Sequence, residues 1–305
     1  MKLAVVANPT ARAGTGLRES LRALDRLRER AGGLLNVHTA DSPGAAATLI
    51  KQLREEKPDA LVVVGGDGTV HMAANLLADS GIALGIIPAG TGNDFAGATG
   101  IPKDPIAAAD VIFDGKTASL DLGEVTHEDG TREFFTTVLA CGFDSKVGDR
   151  ANSMRWPRGE SRYNIAIGIE FFRLRPLPLS LRWIDEHGNS GEDPGPLILS
   201  AIGNTHCYGG GIPICPTADP QDGMLEITIV GPGKKPHLLK ILLSAFKGGH
   251  VNYDEVATHR VREVTLSSPE LNAYADGDYL GTLPARVVAR PDALKLRVPS
   301  DSKLA

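Results

Sequence analysis

Among the places where this chain sets a carboxylate beside glycine, three have the spacing to do chemistry: Gly65-Gly66-Asp67-Gly68-Thr69, Asp219-Pro220-Gln221-Asp222-Gly223 and Asp276-Gly277-Asp278. The first follows five apolar residues, Ala60 to Val64, and precedes a helical run from Val70. Glycine has no Cβ, so the backbone can turn sharply there and bring its N–H groups close to a ligand. Strand, glycine turn and helix start together make an anion site of aligned N–H groups and the positive end of a helix dipole. A carboxylate beside a phosphate cradle is repelled unless a cation lies between them. Asp67 therefore points to Mg²⁺ or a Mg²⁺-bound nucleotide; the alternative is a plain strand-to-helix turn. Taken alone, Asp219 to Gly223 reads as a β-turn before the strand Leu225–Val230. Asp276-Gly277-Asp278 likewise reads as a hairpin turn, which is a good way to present a carboxylate.

The elements around the first stretch alternate. Leu3 to Ala7 is a strand that ends in Asn8-Pro9-Thr10-Ala11-Arg12-Ala13-Gly14, a loop offering an amide, hydroxyls and a guanidinium to a phosphate. Leu17, Leu21, Leu24 and Leu27 recur at helical spacing, and Gly32-Gly33 stops that helix. Leu34 to Thr39 is a second strand, and Ser42-Pro43 caps a helix running through Glu56. After the central strand comes Leu84 to Ile87, which runs into Pro88-Ala89-Gly90-Thr91-Gly92-Asn93-Asp94-Phe95. This alternation predicts a parallel sheet with flanking helices, whose ligands bind outside the carboxyl ends of the strands. Three such ends carry polar or glycine-rich loops. The Walker A pattern and the G-x-G-x-x-G fingerprint are absent.

From about Ser119 extended segments dominate: 134–140, 179–184, 197–202, 225–230, 261–266 and 271–275. Two helices, near 163–174 and 236–246, interrupt them. The reading is an α/β nucleotide-binding domain over 1–118 and a mostly antiparallel β domain over 119–285. In the C-terminal segment 286–305, strands at 287–289 and 294–298 are expected, and the segment is a candidate to return to the first domain. A net charge of −5 argues against bulk nucleic-acid binding. Cys141, Cys207 and Cys215 lack metal-ligand spacing and read as buried, reduced thiols of a cytoplasmic protein. No stretch is long and apolar enough to span a membrane, so any membrane contact is peripheral.

GGDGT followed by PAGTGNDFA, with NPTARAG upstream, resembles the diacylglycerol kinase catalytic-domain family, which includes bacterial soluble lipid kinases and sphingosine kinases. The resemblance continues at Gly203-Asn204, Gly209-Gly210-Gly211, 216–223 and 276–278. GGDGT alone also occurs in NAD kinases and phosphofructokinases, whose α/β fold the first domain would share. The resemblance implies an ATP-dependent lipid kinase, with ATP phosphates in a cleft between the domains and a lipid hydroxyl, most readily that of diacylglycerol, as acceptor. It places nucleotide contacts at Asn8, Thr10, Arg12, Thr39, Gly65, Gly66, Asp67, Gly68, Thr69 and Thr91. It also places a Mg²⁺ site at Asp219, Asp222 and the carbonyl of Met224, an oxygen-only set that suits this ion. Asp278 stands where the family has a glutamate as general base. Aspartate does the same chemistry with one methylene less reach.

The rival readings are a NAD-kinase-like transferase acting on a soluble acceptor, and a catalytically silent lipid- or nucleotide-binding protein. The expected partner is a lipid substrate at the inner membrane face, with a homodimer as a further candidate. Arg150, Arg155, Arg158 and Arg162 around Trp156 form either a bilayer contact or a solvated charged loop.

Overall fold

A computed structural model describes residues 1–7, 15–33, 35–154, 156 and 160–304. The chain divides into two compact units. The first comprises Met1–Leu122, Gly209–Gly211 and Arg290–Ala305; the second comprises Gly123–Tyr208 and Ile212–Ala289. Two of the divisions fall inside long strands, at 122/123 and 289/290, and the other two bracket the triple-glycine turn.

In the first unit the order is β1 (Leu3–Ala7), α1 (Thr15–Arg30), β2 (Val37–Thr39), α2 (Pro43–Glu55), β3 (Ala60–Gly65), α3 (Asp67–Leu77), β4 (Ala83–Pro88), α4 (Asp94–Ala98) and α5 (Pro105–Asp114). β5 (Lys116–His127) then leads out of it. The strands run parallel in the order β2-β1-β3-β4, and the chain's last strand pairs parallel to β4 through Lys295 with Ala83 and Leu296 with Leu84. All of β3 and β4 is buried, as continuous apolar strands covered on both faces must be. α2 packs on α3, and α1 on α5. Ser42 Oγ accepts from Ala45 N–H at 3.3 Å to start α2, and Asp104 Oδ1 accepts from Ala107 N–H at 2.8 Å to start α5. Register aligns Ala7 with both Thr39 and Val64, and Gly65 with Pro88. The C-terminal ends of β1, β2, β3 and β4 therefore share one edge.

The second unit adds β6 (Arg132–Phe135), β7 (Val138–Gly142), α6 (Phe143–Ser153), α7 (Glu160–Phe172), β8 (Ser180–Asp185), β9 (Ser190–Asp193), β10 (Leu199–Gly203) and β11 (Leu225–Val230). α8 (Lys235–Ala245), β12 (Val256–Ser267), β13 (Asn272–Ala275), β14 (Asp278–Thr282) and β15 (Ala285–Val298) complete it. Its strands pair antiparallel in the order β14-β13-β7-β10-β11-β12-β15, with β8 and β9 beside β12 and β6 beside β5. Alternate residues face opposite ways. Leu139, Cys141, Ile202 and Ile227 enter a core of strands alone, whereas Val138, Leu199, Ala201 and Val230 pack with α6, α7 and α8. The expected α/β plus antiparallel β architecture is the one adopted.

Three local expectations are corrected. The strand expected over 134–140 is broken at Thr136-Thr137, because another side chain takes those N–H groups. The two late strands are one, β15. α6 was not legible, because only Phe143, Val147 and Ala151 of its eleven residues mark an apolar face. The three cysteines are unpaired and buried.

Phe135 is wholly buried immediately before the break. Phe135→Ala should cost about 3–5 kcal/mol, the usual toll of emptying an aromatic site in a core. Urea unfolding followed by circular dichroism measures it, and a loss under about 1 kcal/mol would mean the site collapses freely.

Candidate active site

In the first unit the loops after β3 and β4 interlock. A Cβ on Gly66 would lie 2.9 Å from Gly90 Cα, so the two backbones touch at positions where only glycine fits. Asp67 opens α3, and its carboxylate accepts from Asn93 N–H and Asp94 N–H, each at 2.7 Å. Gly92 packs over it, since a Cβ there would meet Asp67 Oδ2 at 2.6 Å. Asn93 sits at φ 56°, with Oδ1 accepting from Gly90 N–H at 3.0 Å and Nδ2 donating to Gly90 O at 2.8 Å. Asp94 accepts from Gly210 N–H at 2.9 and 3.1 Å, which ties the triple-glycine segment into this unit.

This geometry gives Asp67 a structural role beside the one expected from the sequence. Its carboxylate is held by two backbone N–H groups at the start of α4. The carboxylate clamps loop to loop at the start of α3. Gly68 and Thr69 lie in the first turn of that helix, and Thr69 N–H donates to Gly66 O at 3.0 Å. Thr39 and Thr91 are exposed at the strand-end edge. Asn8, Thr10 and Arg12 lie outside the described residues.

In the second unit β13 and β14 form a hairpin with Asp276-Gly277 as its two-residue loop, both at positive φ (54° and 89°). Asp276 accepts four hydrogen bonds: from Thr136 N–H at 2.8 Å and Oγ1 at 2.9 Å, and from Thr137 N–H at 2.8 Å and Oγ1 at 2.5 Å. Those bonds break the strand between β6 and β7. Asn204 holds the same break from the other side, with Nδ2 on Thr136 O at 2.9 Å and N–H on Thr137 O at 2.8 Å. Tyr274 hydroxyl and Asn272 Nδ2 both donate to Asp149 at 2.8 Å. Burial and that hydrogen bond push the Tyr274 phenol up to about 12. Asp278, first residue of β14, is exposed at the tip of this fixed hairpin.

Asp219 and Asp222 share a turn, but their partners differ from those of a metal site. Asp222 accepts from Met224 N–H at 2.9 Å and from Arg260 at 2.8 Å, and Asp219 accepts from Gln221 N–H at 3.1 Å. Burial, helped by the Asp219 charge, still raises the Asp222 pKa. The oxygen chemistry suits Mg²⁺, but Arg260 takes the counter-ion's place, so the set does not fit the ion as arranged. Among the described residues no three or more His, Cys, Asp and Glu side chains form a metal-binding group.

The second unit also contains an apolar pocket with about 590 Å³ of empty space including its mouth, walled by Phe143, Phe171, Leu199, Val230, Leu238 and Ile241 among others. Three of its residues are polar. Tyr208 hydroxyl donates to Asp144 at 2.6 Å, and His250 donates from Nε2 to Ile214 O at 2.9 Å. His250 Nδ1 is buried with no hydrogen-bond partner among the described residues. Burial lowers the His250 pKa, so Nδ1 presents a lone pair that suits a hydroxyl donor. Sequence reading did not single out Asp144 or His250; nothing in a G-F-D-S run signals a pocket.

Two measurements test these assignments. Asp67→Ala should abolish the clamp and cost about 1–3 kcal/mol, because the Asn93 and Asp94 donors lose their acceptor. The loss should appear in melting with and without Mg²⁺ alike; a loss seen only with Mg²⁺ would favour the cation reading. Burial pushes the Asp144 carboxyl up from 3.8 to about 6. A raised folded-state value makes the ionised form costly in the fold. The cost is absent below the unfolded value, grows as pH rises through this window and is complete above 6. The stability of Asp144→Asn relative to wild type should therefore climb from pH 4 to 6 and level off, by at most about 3 kcal/mol. Partial exposure of Asp144 makes that an upper bound.

Comparison with known proteins bears on both units. Residues 2–125 match the model of the diacylglycerol kinase catalytic domain, and residues 137–298 match that of the YegS C-terminal NAD kinase beta sandwich-like domain. A diacylglycerol kinase of Mycobacterium tuberculosis (strain CDC 1551 / Oshkosh) is 43% identical over 299 residues, covering 98% of this chain and 95% of the relative. A diacylglycerol kinase of Bacillus subtilis (strain 168) is 28% identical over 266 residues, covering 85% and 84%. The crystal structure of a diacylglycerol kinase from Bacillus anthracis str. Sterne superposes with a TM-score of 0.72 at 22% identity, over 97% of this chain and 96% of that one, a likeness of fold. With a relative this similar along nearly its whole length, and both domain models matched in turn, the chain belongs to the diacylglycerol kinase catalytic-domain family of lipid kinases.

Proposed function

We propose that this protein transfers the γ-phosphate of ATP to the hydroxyl of a diacylglycerol-like lipid. The observation that carries the lipid acceptor, as against NAD or another soluble one, is the apolar pocket of the second unit. Its walls are apolar with few polar groups, a lining that suits acyl chain rather than sugar or phosphate. Membership of the family supports ATP as donor, and the strand-end loops of the first unit, Gly65–Thr69 with the Gly90–Asp94 loop clamped beside it, suit its phosphates. ATP arrives as its Mg²⁺ complex, and the ion neutralises phosphate charge in such transfers.

Asp278 acts as the base. As the acceptor oxygen bonds to the γ-phosphorus, the bond to the β–γ bridging oxygen breaks, ADP leaves, and the hydroxyl proton passes to the Asp278 carboxylate. Asp276, spent on four donors, is a positioning residue that fixes where Asp278 points. The remaining catalysis is alignment of the reacting atoms and stabilisation of phosphoryl charge.

Labelled ATP with detergent-dispersed diacylglycerol, against NAD as control acceptor, tests the reaction; phosphorylation of NAD alone would reject the reading. Asp278→Asn should lose about 10²–10⁴-fold in kcat, the usual worth of general-base help, with ATP affinity little changed. A folded Asp278→Asn protein turning over near the wild-type rate would show that the hydroxyl is activated elsewhere. Asp278→Glu reports the geometry: glutamate slower than aspartate means the site fits the shorter side chain.

A further inference from the structure

The second unit exposes an apolar face that none of the assignments above uses. On α8, Leu239, Leu243 and Phe246 recur at i, i+4 and i+7 and are exposed, Leu243 by 61% and Phe246 by 58%. The opposite side of the helix, Leu238, Ile241 and Ala245, is buried. On α7, Ile165 and Phe172 are exposed, Phe172 by 85%. Lys235 Nζ donates to Phe172 O at 2.7 Å, which holds the start of α8 against the end of α7.

Cations outnumber the acidic groups near this face, where Glu170 of α7 is paired with Arg150 and Glu255 with His237 of α8. Residues 171–181 contain Arg173 and Arg175, and residues 231–253 contain Lys234, Lys235, Lys240 and Lys247, with no aspartate or glutamate in either stretch. All six cations are exposed, in a chain whose net charge is −5. The arginines that the sequence singled out are placed otherwise. Arg150 is paired with Glu170, Arg162 lies over the Tyr163 ring, and Arg155 and Arg158 fall outside the described residues.

We propose that this face docks on an anionic lipid bilayer, with Phe172 and Leu243 entering the interface and the six cations at the headgroups. The inference rests on the lipid-kinase reading above. An apolar helix face rimmed by lysine and arginine is the composition that binds at such a surface. A second copy is the poorer occupant, since a two-fold contact sets the same patch against itself and brings like charges together. Phe246 belongs both to this face and to the wall of the apolar pocket. A lipid can therefore pass from bilayer to pocket along apolar side chains.

The test is co-sedimentation with vesicles of phosphatidylcholine, with or without about a third phosphatidylglycerol, which supplies the negative surface potential. Wild type should bind the anionic vesicles and release as salt rises. Lys240→Gln with Lys247→Gln should weaken that binding about thirtyfold at low salt. Phe172→Ser with Leu243→Ser should weaken it as well, and both double variants should keep wild-type activity on detergent-dispersed lipid. Equal binding to neutral and anionic vesicles, or wild-type binding by both variants, would overturn the proposal. So would a dimer, seen by sedimentation velocity, that the Phe172→Ser and Leu243→Ser changes dissolve. Charge-dependent vesicle binding in a protein that phosphorylates no lipid would uphold the docking face and refute the kinase reading.

Discussion

A carboxylate that accepts four hydrogen bonds has little left to give to chemistry, and in this protein that loss organises the second unit. Asp276 takes both N–H groups and both hydroxyls of Thr136 and Thr137. Those N–H groups would otherwise extend the strand from β6 into β7. With them diverted, the strand breaks, and Asn204 takes up the two carbonyls that the break leaves. The hairpin carrying Asp276 is thereby pinned beside β7, already its ladder partner through Ala275 and Leu139. Asp278 inherits its position from this arrangement. Partly buried donors left without an acceptor cost more than a hydrogen bond gains, so the latch and the break stand or fall together.

The first unit uses the same device for a different end. Asp67 satisfies the backbone of the neighbouring glycine loop, and Gly66, Gly90 and Gly92 allow the approach because a Cβ at any of them would collide. Two loops that would each be pliable alone become one rigid edge at the carboxyl ends of β3 and β4. Asp94 extends the edge to Gly210, far away in sequence. The acid in this glycine-aspartate turn thus serves the backbone directly.

The pocket of the second unit shows the opposite balance. Its walls come from a sheet whose alternate residues face the helices, and its few polar groups stand out by their electrostatics: a carboxyl pushed up to about 6 and a histidine pushed down. Both shifts come chiefly from burial, which disfavours charge of either sign. The pocket is therefore nearly neutral near neutral pH on the histidine side, with one carboxylate held by Tyr208. Acyl chain and a single hydroxyl match that balance better than a charged acceptor does.

The sequence by itself determined the order of the fold. Continuous apolar strands ending in glycine had to be central and parallel, and the change of texture after Ser119 had to mark antiparallel strands, because those patterns follow from local periodicity and backbone freedom. It also marked Asp67, Asp222, Asp276 and Asp278 as residues worth explaining. Only the tertiary structure decided their partners: Asn93 and Asp94 for Asp67, Arg260 for Asp222, and Thr136 and Thr137 for Asp276. Each partner is 26 or more residues away, and no periodicity encodes contacts over that distance. The same reason hid α6, whose short apolar face is defined by the sheet it covers, and Asp144 with His250, which become a site only when β7, α8 and their neighbours enclose them. The return of the C-terminal segment to the first domain was a candidate from the sequence, but that its late strands form one strand, β15, and pair with β4 was decided by packing.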